Sequence, residues 1–384
     1  MIINQPKHNA IPAEAVPNGE RHALVLQGGG ALGSYQAGAF EVLAQAGISP
    51  GWIAGISIGA INAAIIAGNP PEQRVSRLRQ FWDGVSAGLT GSQIIPGENG
   101  RTTFNELSAW LTAMMGINGF FSPRLLPPLL QPPGTSAALS YYDTEPLRKT
   151  LENLIDFDTL NNGAVRVSLG AVHIKSGNFV YFDSRERRIG VEHIMASGAL
   201  PPGFPPVIID GEAYWDGGLV SNTPLQYMLD NDHDSRELCI FQVDLFSARG
   251  AMPRTILDVA EREKEIRYSS RTRFNTTMVS EIVRLRKAAA RLAERLPPEL
   301  HDDPDLQLLL AAPEEAAISI FHLIHRPFTY DTQSKDFEFS RLSMIEHWDA
   351  GKKDVTKTLQ HPAWRNRSRP HDGIAIHDLT RPTA

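Results

Sequence analysis

Short apolar runs, glycine-rich turns and helical spacings alternate through the first part of the chain. HALVLQ, from His22 to Gln27, reads as a buried strand and runs directly into Gly28-Gly29-Gly30-Ala31-Leu32-Gly33. From Tyr35 to Ala46, Phe40, Val42 and Leu43 fall on the apolar side of a helix. Gly51 to Ile56 predicts a second strand, and Ile58 to Ala67 a second helix stopped by Gly68-Asn69-Pro70-Pro71. Strand, helix, strand and helix at this density predict an α/β fold with a mostly parallel central sheet between helical layers.

The pattern weakens between Gly84 and Pro146, where the stretch from Gly116 to Pro133 sets many apolar residues on a backbone rich in Pro and Gly. That stretch reads either as a core-packing insertion or as an apolar lid built on Phe120 and Phe121. Strands return at Val165–Val172 and Asn178–Asp183, then a helix near Val191–Gly198 and a hairpin turning at Asp210-Gly211. LCIFQVDL, from Leu238, predicts another buried strand. Beyond Met252 the chain changes to long charged helices, with a half-buried strand at Ala317–His325, a helix at Ser340–Gln360 and a loop-like tail from Pro362. This divides the chain into a flexible arm over 1–20, an α/β unit over 21–250 and a mainly helical extension over 251–384.

Composition narrows the classes. With 384 residues and 42% apolar content, the chain can bury a sizeable core, which excludes disorder for most of its length. A net charge of −6 excludes a globally basic nucleic-acid binder. Residues 261–295 run against that trend, with ten Lys/Arg and five Glu. Met278, Ile282, Leu285, Ala289, Leu292 and Leu296 form one apolar face there, so this helix either packs on the protein or attaches it to anionic membrane. The single Cys239 excludes an internal disulfide and a cysteine-cluster metal site. The first twenty residues lack the apolar run of a secretory signal, and Ile53–Gly68 is too short for a spanning helix of about twenty residues. A cytoplasmic protein, with at most peripheral membrane contact, is the expectation.

Three motifs carry chemistry. Gly55-Ile56-Ser57-Ile58-Gly59 matches the G-x-S-x-G elbow, and it lies at a strand-to-helix junction where that turn is needed. Ser57 would stand at a helix N-terminus, whose dipole favours developing negative charge. The loop from Gly28 to Gly33 also fits the dinucleotide fingerprint G-x-G-x-x-G, but no Asp or Glu lies between Glu41 and Glu72 to bind a ribose. Its consecutive glycines instead suit an oxyanion hole made of backbone N–H groups. Asp216-Gly217-Gly218 supplies a carboxylate in a tight turn, although Asp-Gly alone is a routine turn. None of the twelve histidines stands in a context that marks it as a base. His322 and His325 fall on opposite sides of a strand, so no metal site is expected from that pair.

QGGGALG at 27–33, GISIG at 55–59, ASGALPPGFPPV at 196–207 and DGG at 216–218 together resemble the patatin-like phospholipases. The resemblance covers about residues 22–247, making 21–250 the catalytic unit. It implies a patatin-like three-layer fold and a serine acyl hydrolase acting through a Ser–Asp dyad. Ser57 would be the nucleophile and Asp216 the base. Gly28, Gly29 and Gly30 would supply the oxyanion hole, and Gly33, Gly55, Gly59, Gly217 and Gly218 would be motif glycines. No cofactor and no metal are implied. Leu32 stands where family members often carry Arg or Lys, which widens the expected substrates from phospholipids to neutral acyl esters. The segment FTYDTQSKDFEFSRLSMIEHWDAGKKD at 328–354 resembles the extension of a bacterial patatin-like subgroup. An acyltransferase using the same acyl-serine, or a non-catalytic lipid-binding scaffold, are the alternatives.

Overall fold

The computed structural model describes residues 19–86, 97–234, 236–297, 300–310, 317–370 and 373–380. Most of the expected arm lies outside them. The chain begins as its pattern dictates, with β1 (Arg21–Leu26), α1 (Ser34–Gln45), β2 (Trp52–Ile56), α2 (Ile58–Ala67) and α3 (Arg74–Val85). Next come α4 (Glu98–Met115), β3 (Ser122–Pro123), β4 (Tyr142–Asp143), α5 (Glu145–Leu154) and α6 (Phe157–Asn162). The middle supplies β5 (Arg166–His173), β6 (Phe179–Asp183), α7 (Val191–Ser197), β7 (Val207–Ile209), β8 (Glu212–Asp216), α8 (Leu225–Asp230) and β9 (Leu238–Asp244). The remainder is α9 (Ile256–Ala293), α10 (Pro304–Leu310), β10 (Ile318–Ile324), α11 (Arg341–Gln360), α12 (Pro362–Arg365) and β11 (Ile374–His377).

Nine strands form one sheet in the order β11-β10-β9-β1-β2-β5-β8-β7, with β6 also paired to β5. Pairing is parallel from β11 through to β5 and antiparallel at β6, β7 and β8. The central strands β1, β2 and β9 are almost wholly apolar and buried, as a sheet covered on both faces requires. β1, at the middle, carries the glycine loop off its C-terminal end, and neighbouring β2 carries Ser57 off the same end. In a parallel sheet this is the edge where ligands bind.

The break in composition near residue 250 does not end the sheet. β10 joins the free side of β9 and β11 joins β10. α11 lies along α1, and the two backbones meet where Gly38 faces Trp348 and Gly351 faces Tyr35. Any side chain at either glycine would collide with the opposite backbone. Trp348 is fully buried there. The tail from Pro362, expected as loop, contains α12 and the edge strand β11. The weakly patterned region holds the eighteen-residue α4.

Candidate active site

β2 runs into α2 through Ser57, whose φ of 56° is one of two positive values among the described non-glycine residues. Such a conformation costs on the order of 1 kcal/mol or more and lasts only where its surroundings enforce it. Here Ser57 N–H is held by the Ser197 backbone carbonyl at 3.1 Å and by Ser197 Oγ at 3.0 Å. Ser197 in turn donates to the Gly170 carbonyl at 2.6 Å. Gly55 and Gly59 are obligatory, since a Cβ on Gly55 would strike the Gly59 carbonyl and one on Gly59 the Leu26 carbonyl.

Asp216 ends β8 and is 2% exposed. Its N–H donates to the Ala199 carbonyl at 3.0 Å, and its Oδ1 accepts the Gly218 N–H at 2.7 Å. Burial pushes its carboxyl up to about 7, against the opposing pull of the Gly218 N–H and of a hydrogen bond with the Ser57 side chain. Gly217 is packed against the Gly170 carbonyl, which fixes how closely the turn approaches β5. Thus two residues far apart in sequence meet, and no histidine among the described residues is hydrogen-bonded to either.

The glycine loop closes the third side. Gly28 lies against Ser57 Cβ and the Asn222 side chain. Its N–H donates to the Asn222 carbonyl at 3.3 Å, while Asn222 Nδ2 donates to its carbonyl at 3.0 Å. The N–H groups of Gly29 and Gly30 have no acceptor among the described residues, and Gly30 adopts a φ of 54°. Gly33 abuts Ile58 and Trp82, joining the loop to the start of α2. Leu32 is fully buried, so its side chain is core and not site.

Two polar residues that sequence patterns did not mark position this loop. Gln27 Oε1 accepts the N–H groups of Leu245 and Phe246 at 2.6 and 3.0 Å, and its Nε2 donates to Thr223 Oγ1 at 3.1 Å. Asn222 is the other. A buried amide at the end of an apolar strand was the available signal for Gln27, because such a group must find partners. From the C-terminal part, the Asp336 carbonyl accepts the Ala31 N–H at 2.7 Å and packs directly against Gly30.

Phe120 and Phe121 are buried and in ring contact with Phe204 at 6.1 and 5.3 Å, so they are core. Two groupings of metal-ligand side chains occur among the described residues. In the first, Glu20 already pairs with His22 and Arg367 near Cys239. In the second, burial and the charges of Lys335, Arg326 and Arg101 hold His325 and His347 neutral beside Asp331, a field that opposes a cation. Neither grouping contains a hydrogen-bond partner of Ser57 or Asp216. In α9, Arg262 caps the carbonyls of Ser247 and Ala248, while Met278, Leu285 and Leu292 are exposed. The side chains of Ile282, Arg286 and Lys287 lie outside the described residues.

A family model described as patatin-like phospholipase matches residues 24–229, more than half of the chain. A second, described as patatin phospholipase, matches residues 266–371. Among solved structures, VipD from Legionella pneumophila is 13% identical, with a TM-score of 0.40 over 95% of this chain and 72% of its own. Human GIVD cytosolic phospholipase A2, in complex with methyl gamma-linolenyl fluorophosphonate, is 13% identical, with a TM-score of 0.30 over 58% of this chain and 40% of its own. ExoU from Pseudomonas aeruginosa, in complex with SpcU, is 18% identical, with a TM-score of 0.26 over 67% of this chain and 51% of its own. No curated protein sequence matches the chain. The match across the glycine loop, the elbow and the Asp-Gly-Gly turn places the chain in the patatin-like phospholipase family, a family of lipid hydrolases.

Proposed function

We propose that the chain releases fatty acids from lipid or other acyl esters through a Ser57–Asp216 dyad and an acyl-enzyme. The observation that carries this reading is the hydroxyl of a conformationally constrained serine set against a buried carboxyl whose pKa is raised to about 7. Such a carboxylate is matched to proton transfer near neutral pH. Asp216 takes the hydroxyl proton as Ser57 Oγ attacks the ester carbonyl, and the leaving alcohol receives that proton as the tetrahedral intermediate collapses. Water, deprotonated by the same carboxylate, then attacks the acyl-serine and frees the acid.

The oxyanion formed in each step is assigned to the glycine loop at Gly29 and Gly30, because the Gly28 N–H, expected as a third donor, is already given to the Asn222 carbonyl. Their N–H groups, which have no acceptor among the described residues, are its donors, fixed in place before reaction so that no reorganisation is needed. The loop presents no cation, since Leu32 is buried, so the reading includes neutral esters as well as phospholipids.

The test is turnover of a chromogenic short-chain ester by the wild type, Ser57→Ala and Asp216→Asn. Loss of turnover in both folded variants is expected. Near-wild-type turnover by folded Asp216→Asn would place the base elsewhere. Adding a lysolipid acceptor separates hydrolysis from acyl transfer, because only transfer yields a new ester.

A further inference from the structure

α4 is amphipathic in the reverse sense. Its polar side chains Arg101, Asn105, Ser108 and Thr112 recur at spacings of four and three and are buried. Arg101 donates to Ser343 Oγ and Glu346 at 2.9 and 2.6 Å, and Ser108 donates to Glu338. The opposite face carries Leu107, Trp110 and Met114, with Met115 beside them, and all four are exposed. A helix whose only role is to cover a core buries its apolar stripe and exposes its polar one. This helix spends its polar face on the protein and turns the apolar face out.

The following loop extends that surface. Leu125 and Leu129 are 101% and 97% exposed, and Leu126, Leu130 and Tyr141 are exposed with them. From Leu107 to Tyr142 the chain holds one charged side chain, Arg124, which is turned onto Ser140 Oγ at 3.1 Å. The two parts are joined, because Tyr142 Oη donates to the Ala113 carbonyl at 2.7 Å and β3 pairs with β4. They are joined to the active site as well. The N–H groups of Tyr141 and Tyr142 donate to the carbonyls of Pro202 and Gly203 at 3.1 and 3.0 Å, and this loop begins at Gly198 beside Ser57.

We infer that the face formed by α4 and residues 124–141 docks the enzyme on a lipid surface by inserting its leucines and Trp110 among acyl chains. The inference rests on the lipid-hydrolase reading above. A contiguous apolar surface of this kind marks an interaction site. Scarcity of charge selects the occupant: the exposed Glu106 and the half-buried Arg124, which is turned onto Ser140, are the charges between Thr103 and Tyr142, and so apolar a face fits the acyl layer better than an anionic headgroup or a charged protein rim. No described helix is long and apolar enough to cross a membrane, so contact is at the surface. Because the face is hydrogen-bonded to the loop that begins beside Ser57, docking brings that loop to the layer that holds the proposed substrate.

The test uses the full chain carrying Ser57→Ala, so that no lipid is consumed, with phosphatidylcholine vesicles. Sedimentation with these uncharged-in-sum vesicles should persist at high salt. Acyl chains brominated near the headgroup should quench tryptophan emission, and Trp110→Phe should remove that quenching, since Trp110 is the most exposed described tryptophan. Leu125→Glu combined with Leu129→Glu should weaken binding by about tenfold or more, with an unchanged unfolding midpoint because both side chains already face solvent. Failure to sediment with phosphatidylcholine overturns the inference. Binding confined to anionic vesicles and abolished by salt also overturns it and assigns the contact to α9. A concentration-dependent dimer dissolved by the two glutamates, without vesicle binding, overturns it in favour of a second copy. Turnover of a soluble ester by the Ser57 protein is measured separately, so failure of the hydrolase reading and failure of docking give different results.

Discussion

Lys335 Nζ lies 2.8 Å from Glu265 Oε1 and 2.8 Å from Glu261 Oε1, with the lysine side chain only 2% exposed. This buried triad ties α9 to the segment whose next residue, Asp336, holds the Ala31 N–H. Lys335→Met should therefore leave two poorly solvated carboxylates facing each other. A loss of about 3 kcal/mol is expected, read by urea denaturation, together with a fall in kcat as the glycine loop loosens. Adding Glu265→Gln should recover part of the stability. Unchanged stability in Lys335→Met would show that the triad does not brace the loop.

The raised pKa of Asp216, about 7, has opposite consequences for activity and for stability. As pH rises through about 7 the carboxyl loses its proton, so with Asp216 as the proposed base kcat/KM should climb across that range. Between the ordinary Asp pKa and about 7, the native state holds a proton that the unfolded state has lost. Stability should consequently fall as pH rises through this window. Asp216→Asn should be inactive and yet more stable than wild type at pH 8, with the gap closing toward pH 4. Urea titrations at the two pH values decide it.

The positive φ of Ser57 separates two variants that lack the proposed nucleophile. Ser57→Gly relieves the strain, and Ser57→Ala retains it. We expect Ser57→Gly to match or exceed Ser57→Ala in unfolding free energy, by up to about 1 kcal/mol, despite the usual entropic penalty of glycine. A clearly less stable Ser57→Gly protein would mean the elbow stores no strain.

Phe120 packs among Phe81, Phe204 and Phe339. Phe120→Ala should cost about 3 to 5 kcal/mol and depress turnover of short and long esters alike. A change in chain-length preference at unaltered melting temperature would return it to the role of a lid.

Legibility in the sequence followed locality. The glycine loop, the elbow and the Asp-Gly-Gly turn are each set by a few adjacent residues whose backbone demands show in the letters. The flanking strands β1, β2 and β9 show as continuous apolar runs. α4 stayed hidden because the usual reading of periodicity looks for an inward apolar face, whereas here Arg101, Asn105 and Ser108 face inward. β11 was too short and too near an edge to show a strand pattern. The work of Gln27, Asn222 and Asp336 depends on partners distant in the chain, which no local pattern records. The change in composition near residue 250 was visible, but the sheet's continuation through β10 was not, because the choice of neighbouring strand is a tertiary matter.

The bond from Ala31 to Asp336 also orders events in time. Synthesis makes the glycine loop early and its brace late. β1 acquires its β9 neighbour only after residue 244 has been made, and the loop acquires its outer support more than ninety residues after that. An unfinished chain that already contains Ser57 and Asp216 thus has both residues of the proposed dyad but an unbraced loop. Contacts of such long sequence separation also form slowly. Translation therefore leaves the glycine loop without this brace until residue 336 has emerged.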